Sequence, residues 1–303
     1  MINLSTGAFF ERATRQIGGL REKANKLQEQ IGSQERLSRS SDDPVAAARL
    51  RTLARRERLA EVDQRNSDGA LLDLRLTDKA LGSMADIVIR AKELAMQAAN
   101  EALGPQNREL LNAELKGLFD SLLMVANGRN GTGQALFGGQ APGLAYQDLG
   151  AGVTYVGTAT AEPVEIGDGQ TVTRALTGPE VLSFDNGGTA TNLFAVIGAL
   201  GLALQDPAAD IVASAQAALG GLDAGLEQIT TSQTIVGARM GWIEIIDDRR
   251  VATGELVAEE RAEIGGADLA TTMTRLQEIM TVLEASQASF IRVAGLSLFD
   301  QLR

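Results

Sequence analysis

The chain has 303 residues, 44% apolar and 22% charged, with 33 glycines and 4% aromatics, which suits one large domain or two to three small ones around a buried core. It contains no cysteine and no histidine, which excludes disulfides, thiolate or imidazole metal sites, and Ser-His-Asp or Cys-His catalysis. The net charge of −11 is uneven: residues 1–65 carry 13 Lys/Arg against 9 Asp/Glu, and the rest carry 15 against 30, so an acidic body speaks against nucleic acid as a partner.

The first strong pattern is apolar. Ala13, Ile17, Leu20, Ala24, Leu27 and Ile31 recur at steps of 4 and 3, and Phe10 extends them backwards. This spacing predicts a polar helix with a narrow heptad seam. No cation precedes the short apolar stretch ahead of Glu11, so a secretory signal is not expected. Ser40-Ser41-Asp42-Asp43-Pro44 is a helix start, with Ser41 and Asp42 as candidate capping side chains and Pro44 in the first turn. Helical patterning then runs from about Val45 to Asn100. Gly104-Pro105 breaks it, and a second helix is expected from about Asn107 to Ala126.

Residues 128–190 change character, holding 14 of the 33 glycines and only eight charges. Val153–Val156 and Val164–Ile166 read as short strands. Asp168-Gly169 reads as a hairpin turn with Gln170–Thr173 as the return strand. Helical patterning resumes near Thr191, breaks at Asp206-Pro207, and continues to about Arg261. The longest apolar run, Leu193 to Leu204, has 12 residues. A membrane span needs roughly 20, so a buried helix is expected and membrane insertion is not. After Gly265-Gly266 the heptad spacing returns at Leu269, Met273, Leu276, Met280, Leu283, Gln287, Phe290 and Ala294. Leu296, Leu298, Phe299 and Leu302 add further apolar residues.

These elements predict a mainly α protein: an elongated helical bundle whose N- and C-terminal helices pair as a coiled coil, with a small central β domain. The expected division is 1–40 with 265–303 as a terminal coiled-coil assembly domain, 41–132 with 190–264 as a helical bundle, and 133–189 as a β-rich outer domain. The candidate assembly seam comprises Phe10, Ile17, Leu20, Leu27, Ile31, Leu269, Met273, Leu276, Met280, Leu283, Phe290, Leu296, Leu298, Phe299 and Leu302. Two helices alone leave much of such a stripe uncovered, and contiguous exposed apolar surface marks association sites.

Chemistry-bearing motifs are sparse. Gly131-Thr132-Gly133 and Gly167-Asp168-Gly169 read as turns, since neither forms a phosphate-binding glycine pattern. Asp42-Asp43 and Asp247-Asp248 are paired carboxylates, but no further ligand stands at calcium-loop spacing, so capping is assigned to Asp42 and a solvated face to Asp247 and Asp248. Asn3-Leu4-Ser5 and Asn130-Gly131-Thr132 match a glycosylation sequon and receive no role. No enzyme activity, metal or cofactor is expected.

Ile31-Gly32-Ser33-Gln34-Glu35-Arg36-Leu37-Ser38-Arg39-Ser40-Ser41-Asp42-Asp43-Pro44-Val45-Ala46-Ala47 resembles the N-terminal segment of the flagellin-like family, in which a short basic loop leads to a Ser-Asp-Asp-Pro helix start. Asn127-Gly128 through Gly138-Gly139 is similar to the entry into the β domain on that family's hook–filament junction branch, and Gly295–Leu302 is similar to its C-terminal segment. The resemblance implies a structural subunit of the bacterial flagellum, exported without a cleaved signal by the type III apparatus and assembled outside the cell. Its implied partners are copies of itself, an adjacent hook-associated protein, flagellin, and an export chaperone at the C-terminal region. The alternative within the family is a short flagellin that forms the filament itself.

Overall fold

The computed structural model describes residues 3–100, 104–150 and 152–301, with side chains at 8, 10–100, 104–150 and 152–293. Among them the order is α1 (Asn3–Ser33), α2 (Pro44–Ala98), α3 (Pro105–Ala126), β1 (Tyr146–Asp148), β2 (Val153–Tyr155), β3 (Pro163–Gly167), β4 (Gln170–Thr173), α4 (Gly178–Leu182), β5 (Ser183–Asn186), β6 (Thr189–Asn192), α5 (Leu193–Gln205), α6 (Ile211–Gly265) and α7 (Leu269–Gln301). The chain is mainly helical with a small β region between α3 and α5. It divides into two compact units, residues 1–58 with 252–303 and residues 59–251.

The larger unit holds a continuous core. Leu74, Leu81, Met84, Val88 and Leu94 of α2 are buried, as are Leu115 and Leu122 of α3 and Leu222, Ile229, Val236 and Ile243 of α6. These positions recur at helical spacing, so each helix turns one stripe inward and leaves its polar face to solvent. α5 packs beside α3, and Phe119 meets Phe194 edge-on at 5.5 Å. Asn192 caps α5 by accepting from the Ala195 N–H, and Asp210 does the same for Ala213 at the start of α6.

The β region consists of three separate antiparallel hairpins, β1–β2, β3–β4 and β5–β6. Two hydrogen-bonded strands are marginal by themselves, and side chains from the helices hold the β3–β4 hairpin. The Arg250 guanidinium of α6 donates to the Ile166 carbonyl, to Gln64 at 2.8 Å and to Ser67 at 3.1 Å, and it ion-pairs with Asp247. Arg239 donates to the carbonyls of Thr173 and Ala175, and Asn66 to that of Glu165. Asp247 is therefore bound into a half-buried network rather than lying on a solvated face, because Arg250 sits one turn away on the same helix; Asp248 is exposed. Gly178 lies against the Tyr146 ring, where a Cβ would meet ring atoms at 2.4–2.6 Å, so only glycine fits there.

Asn130, the head of the second sequon, is locked in a turn. Its Oδ1 accepts from Thr132 N, Thr132 Oγ1 and Gln134 N, and its Nδ2 donates to Asp73. The strands at 153–155, 163–167 and 170–173 lie where the alternation places them. The β5–β6 hairpin, turned by Gly187 and Gly188 at positive φ, ends at Asn192, so α5 starts at Leu193, two residues after the start expected near Thr191.

The smaller unit is built differently. α1 pairs with α7, and the first turns of α2 run beside the last turns of α6. There Arg49 pairs with Glu260 at 2.5 Å and Arg261 with Glu57 at 2.8 Å. Among its described residues the buried side chains are only Ala24, Ala46, Leu53, Val257, Thr272 and Leu283.

Candidate assembly surface

Pro44 is the first residue of α2. The capping side chain is that of Asp43, whose Oδ1 accepts from the Ala46 N–H at 3.0 Å. This corrects the assignment to Ser41 and Asp42. The residue immediately before the proline is the one whose carboxylate reaches the free amides of the first turn, and Ser41 lies in the preceding turn. Asp42 instead ties the loop together: it accepts from Ser38 Oγ and Arg39 N and pairs with Lys26 of α1 at 2.9 Å. The Lys26 hydrogen bond holds the Asp42 carboxyl below its ordinary pKa, and the Ala46 amide does the same for Asp43.

The connection between α1 and α2 is joined to the connection between α6 and α7. Arg36 N donates to the Gly265 carbonyl at 2.7 Å, and Ala267 N to that of Gln34 at 2.9 Å. The Arg36 guanidinium also donates to the Ile264 carbonyl through Nε and Nη2, at 3.1 and 2.9 Å. One side chain thus satisfies a free carbonyl at the end of α6, where a cation also suits the helix dipole. Asp268 starts α7 by accepting from the amides of Ala270 and Thr271 and from Thr271 Oγ1. These bonds, the side-chain one foremost, depress its pKa.

From this clasp α1 and α7 run antiparallel, with Leu27 level with Ile279 and Ile17 level with Phe290. The rings of Phe10 and Phe290 meet edge-on, centroids 5.4 Å apart and planes at 88°, a favoured aromatic geometry. On α1, Phe10, Ile17, Leu20, Leu27 and Ile31 are each half-buried, and Ala24 is buried. On α7, Leu269, Leu276 and Phe290 are half-buried and Leu283 is buried.

Met273 and Met280 do not face α1; they are 53% and 37% exposed. The positions turned to α1 in their place are Thr272, buried, and Ile279, half-buried. Thr272 escaped sequence reading because a polar residue interrupts the apolar spacing. Leu302 lies outside the described residues, as do the side chains of Leu296, Leu298 and Phe299.

α7 therefore has apolar residues on both flanks of its contact with α1. Met273, Met280 and Ile291 stand on one side, Val282 and Val293 on the other, and all are exposed. At 100° per residue the flanks are separated by roughly half the helix circumference, and one neighbouring helix covers only the strip between them. Among the described residues no cluster of three or more Asp or Glu side chains is placed to hold a metal, and no helix is long and apolar enough to cross a membrane.

The chain is thus α-rich, its first and last described helices pair around a half-covered seam, and the β region lies in sequence between α3 and α5. Residues 4–141 match the family model for the bacterial flagellin N-terminal helical region. Over 315 aligned positions the chain is 24% identical to the flagellar hook-associated protein 3 of Escherichia coli K12, covering 99% of both. A putative flagellar hook-associated protein from Vibrio parahaemolyticus superposes with a TM-score of 0.69 at 23% identity, over 74% of this chain and all of that one. The flagellar junction protein FlgL from Legionella pneumophila gives 0.60 at 16% identity, over 72% and 100%. Flagellins match shorter stretches: that of Listeria monocytogenes is 29% identical over 40% of this chain. Its N-terminal helical part is thus similar to flagellins, and among these relatives the end-to-end match is a hook-associated protein.

Proposed function

We propose that this chain is a structural subunit of the bacterial flagellum that joins the hook-associated region to the flagellin filament, and that it has no catalytic role. The observation that carries the reading is coverage: alignment with a hook-associated protein 3 consumes both chains end to end, whereas flagellins match only part. The terminal assembly domain, residues 1–40 with 265–303, contributes the seam. Phe10, Ile17, Leu20, Leu27, Ile31, Leu269, Leu276, Leu283 and Phe290 hold α1 to α7, while Met273 and Met280 meet neighbouring subunits, as do Leu296, Leu298, Phe299 and Leu302. Burial of such half-covered surface between copies supplies the driving force. In this reading the protein leaves the cell unfolded through the type III apparatus, with no cleaved signal, and an export chaperone holds its C-terminal region beforehand. Its neighbours in place are its own copies, the preceding hook-associated protein and the first flagellins.

The test is a deletion. Loss of filaments with intact hooks, flagellin shed into the medium, and recovery on restoring the gene support the junction role. Filaments that persist without the chain overturn it. Growth of long filaments from seeds by the purified protein alone selects the short-flagellin reading instead.

A further inference from the structure

The first turns of α2 and the last turns of α6 carry opposite charges on their outward faces. On α2, Arg51, Arg55 and Arg58 step by 4 and 3, which sets them in one row about 10 Å long. On α6, Glu255, Glu259 and Glu263 step by 4 and 4, a row about 12 Å long. All six are exposed. The side chains of Arg51, Arg55, Glu255, Glu259 and Glu263 make no hydrogen bond or ion pair among the described residues, and that of Arg58 bonds only the Ala54 carbonyl of its own helix.

The inward-facing charges of the same turns are used within the chain. Arg49 is paired with Glu260 and Glu57 with Arg261, and Leu53 and Val257 are buried beside them. At 100° per residue both rows lie roughly opposite that buried stripe. Antiparallel pairing brings residues 49–57 beside 260–261, so Arg51 falls level with Glu263, Arg55 with Glu259 and Arg58 with Glu255. Mixed charge is the ordinary condition of a solvated helix face; here the signs are sorted, cations on one helix and anions on the other, at matching heights.

We propose that the arginine row of α2 in one copy docks on the glutamate row of α6 in the next, a head-to-tail contact between copies of this chain. The inference rests on the self-assembly part of the function proposed above and names the surface for it. The charge of the whole chain argues for a second copy as occupant. At −11 two copies repel at long range, so association needs a local cationic surface, and this row is matched in length by an anionic row on the same chain. Because the two rows face away from each other, the contact is heterologous and propagates from copy to copy instead of ending at a dimer. Complementary rows of this kind steer encounter and fix register more than they add affinity, and the apolar flanks of α7 then complete the contact.

The experiment uses the full chain in two forms, Arg51→Glu/Arg55→Glu/Arg58→Glu and Glu255→Arg/Glu259→Arg/Glu263→Arg, and a third that carries both sets and keeps the net charge at −11. Sedimentation velocity at low salt reads self-association, and circular dichroism verifies that each form is helical. Expected is salt-sensitive association of the unaltered chain and association weakened about tenfold or more in each single-row form. An equimolar mixture of the two single-row forms recovers, because acidic faces then meet basic ones, and the double exchange recovers alone even if a single-row form folds poorly. Undiminished association of either single-row form overturns the inference. So does a failed double exchange, or an unaltered chain that stays monomeric while its arginine row binds another acidic protein. None of these results touches the junction reading, which is scored by filaments in cells.

Discussion

Leu283→Ala is the sharpest probe of the terminal pair. Leu283 is one of six buried side chains among the described residues of the smaller unit and is 8% exposed. Truncation removes three carbon atoms from the seam without loss of helix propensity. A fully enclosed leucine costs about 2–5 kcal/mol on truncation to alanine, and the lower end applies where the site can collapse. This site is walled by one partner helix, so the expected cost is about 2–3 kcal/mol. That is most of what so small a core provides, and the α1–α7 pair should open in the isolated monomer. Because Leu283 belongs to the unit formed by residues 1–58 and 252–303, amide exchange should accelerate over 10–31 and 269–293. Core amides at 81–95 and 222–243 should keep their protection. Equal loss of protection in both stretches, or none in either, refutes the reasoning. A chain already unprotected over 10–31 before substitution shows instead that the pair orders only on assembly.

Asp43→Ala removes the cap of α2 and should destabilise the protein by about 1 kcal/mol, whereas Asp42→Ala leaves the first helical amides capped and should cost less; chemical denaturation of both variants checks the order. Folding lowers the pKa of Asp42 through Lys26, Asp43 through the Ala46 amide, Glu260 through Arg49 and Asp268 through Thr271. The stability these groups lend is complete above the unfolded carboxyl value of about 4 and drains away as pH falls through the folded values. All four lie in the smaller unit, so acid titration followed by amide exchange should loosen 10–31 and 269–293 before the larger core. Tyr146 is 4% exposed, and its hydroxyl has no hydrogen-bond partner among the described residues; burial pushes its pKa far above the phenol range. Tyr146→Phe should therefore leave the melting temperature unchanged or raise it, and a clear fall would show that the hydroxyl has a partner.

Helices at least two turns long were legible because spacing and punctuation agreed. Pro44 and Pro105 each open a helix, and the Asp206-Pro207 break separates α5 from α6. The five-residue helix α4 was not legible, since one turn leaves no periodicity to read. On α7 the spacing admitted two phases. Both 273 with 280 and 272 with 279 stand at heptad spacing around Leu276 and Leu283, and the polar Thr272 made the first phase read as the apolar one. The side on which α1 rests decided between them. The cap moved from Asp42 to Asp43 because adjacent carboxylates are equivalent by type, and only the position of Pro44 relative to the first free amides separates them. The clasp of Arg36 on Ile264 had no local signal, since its partners are 228 positions apart and one of them is a backbone carbonyl.

Pairing α1 with α7 joins stretches more than two hundred positions apart. A ribosome that stalls anywhere before residue 269 releases a product in which Phe10, Ile17 and Leu27 have nothing to rest on, however well residues 59–251 have folded. Such fragments cannot present the two-helix surface.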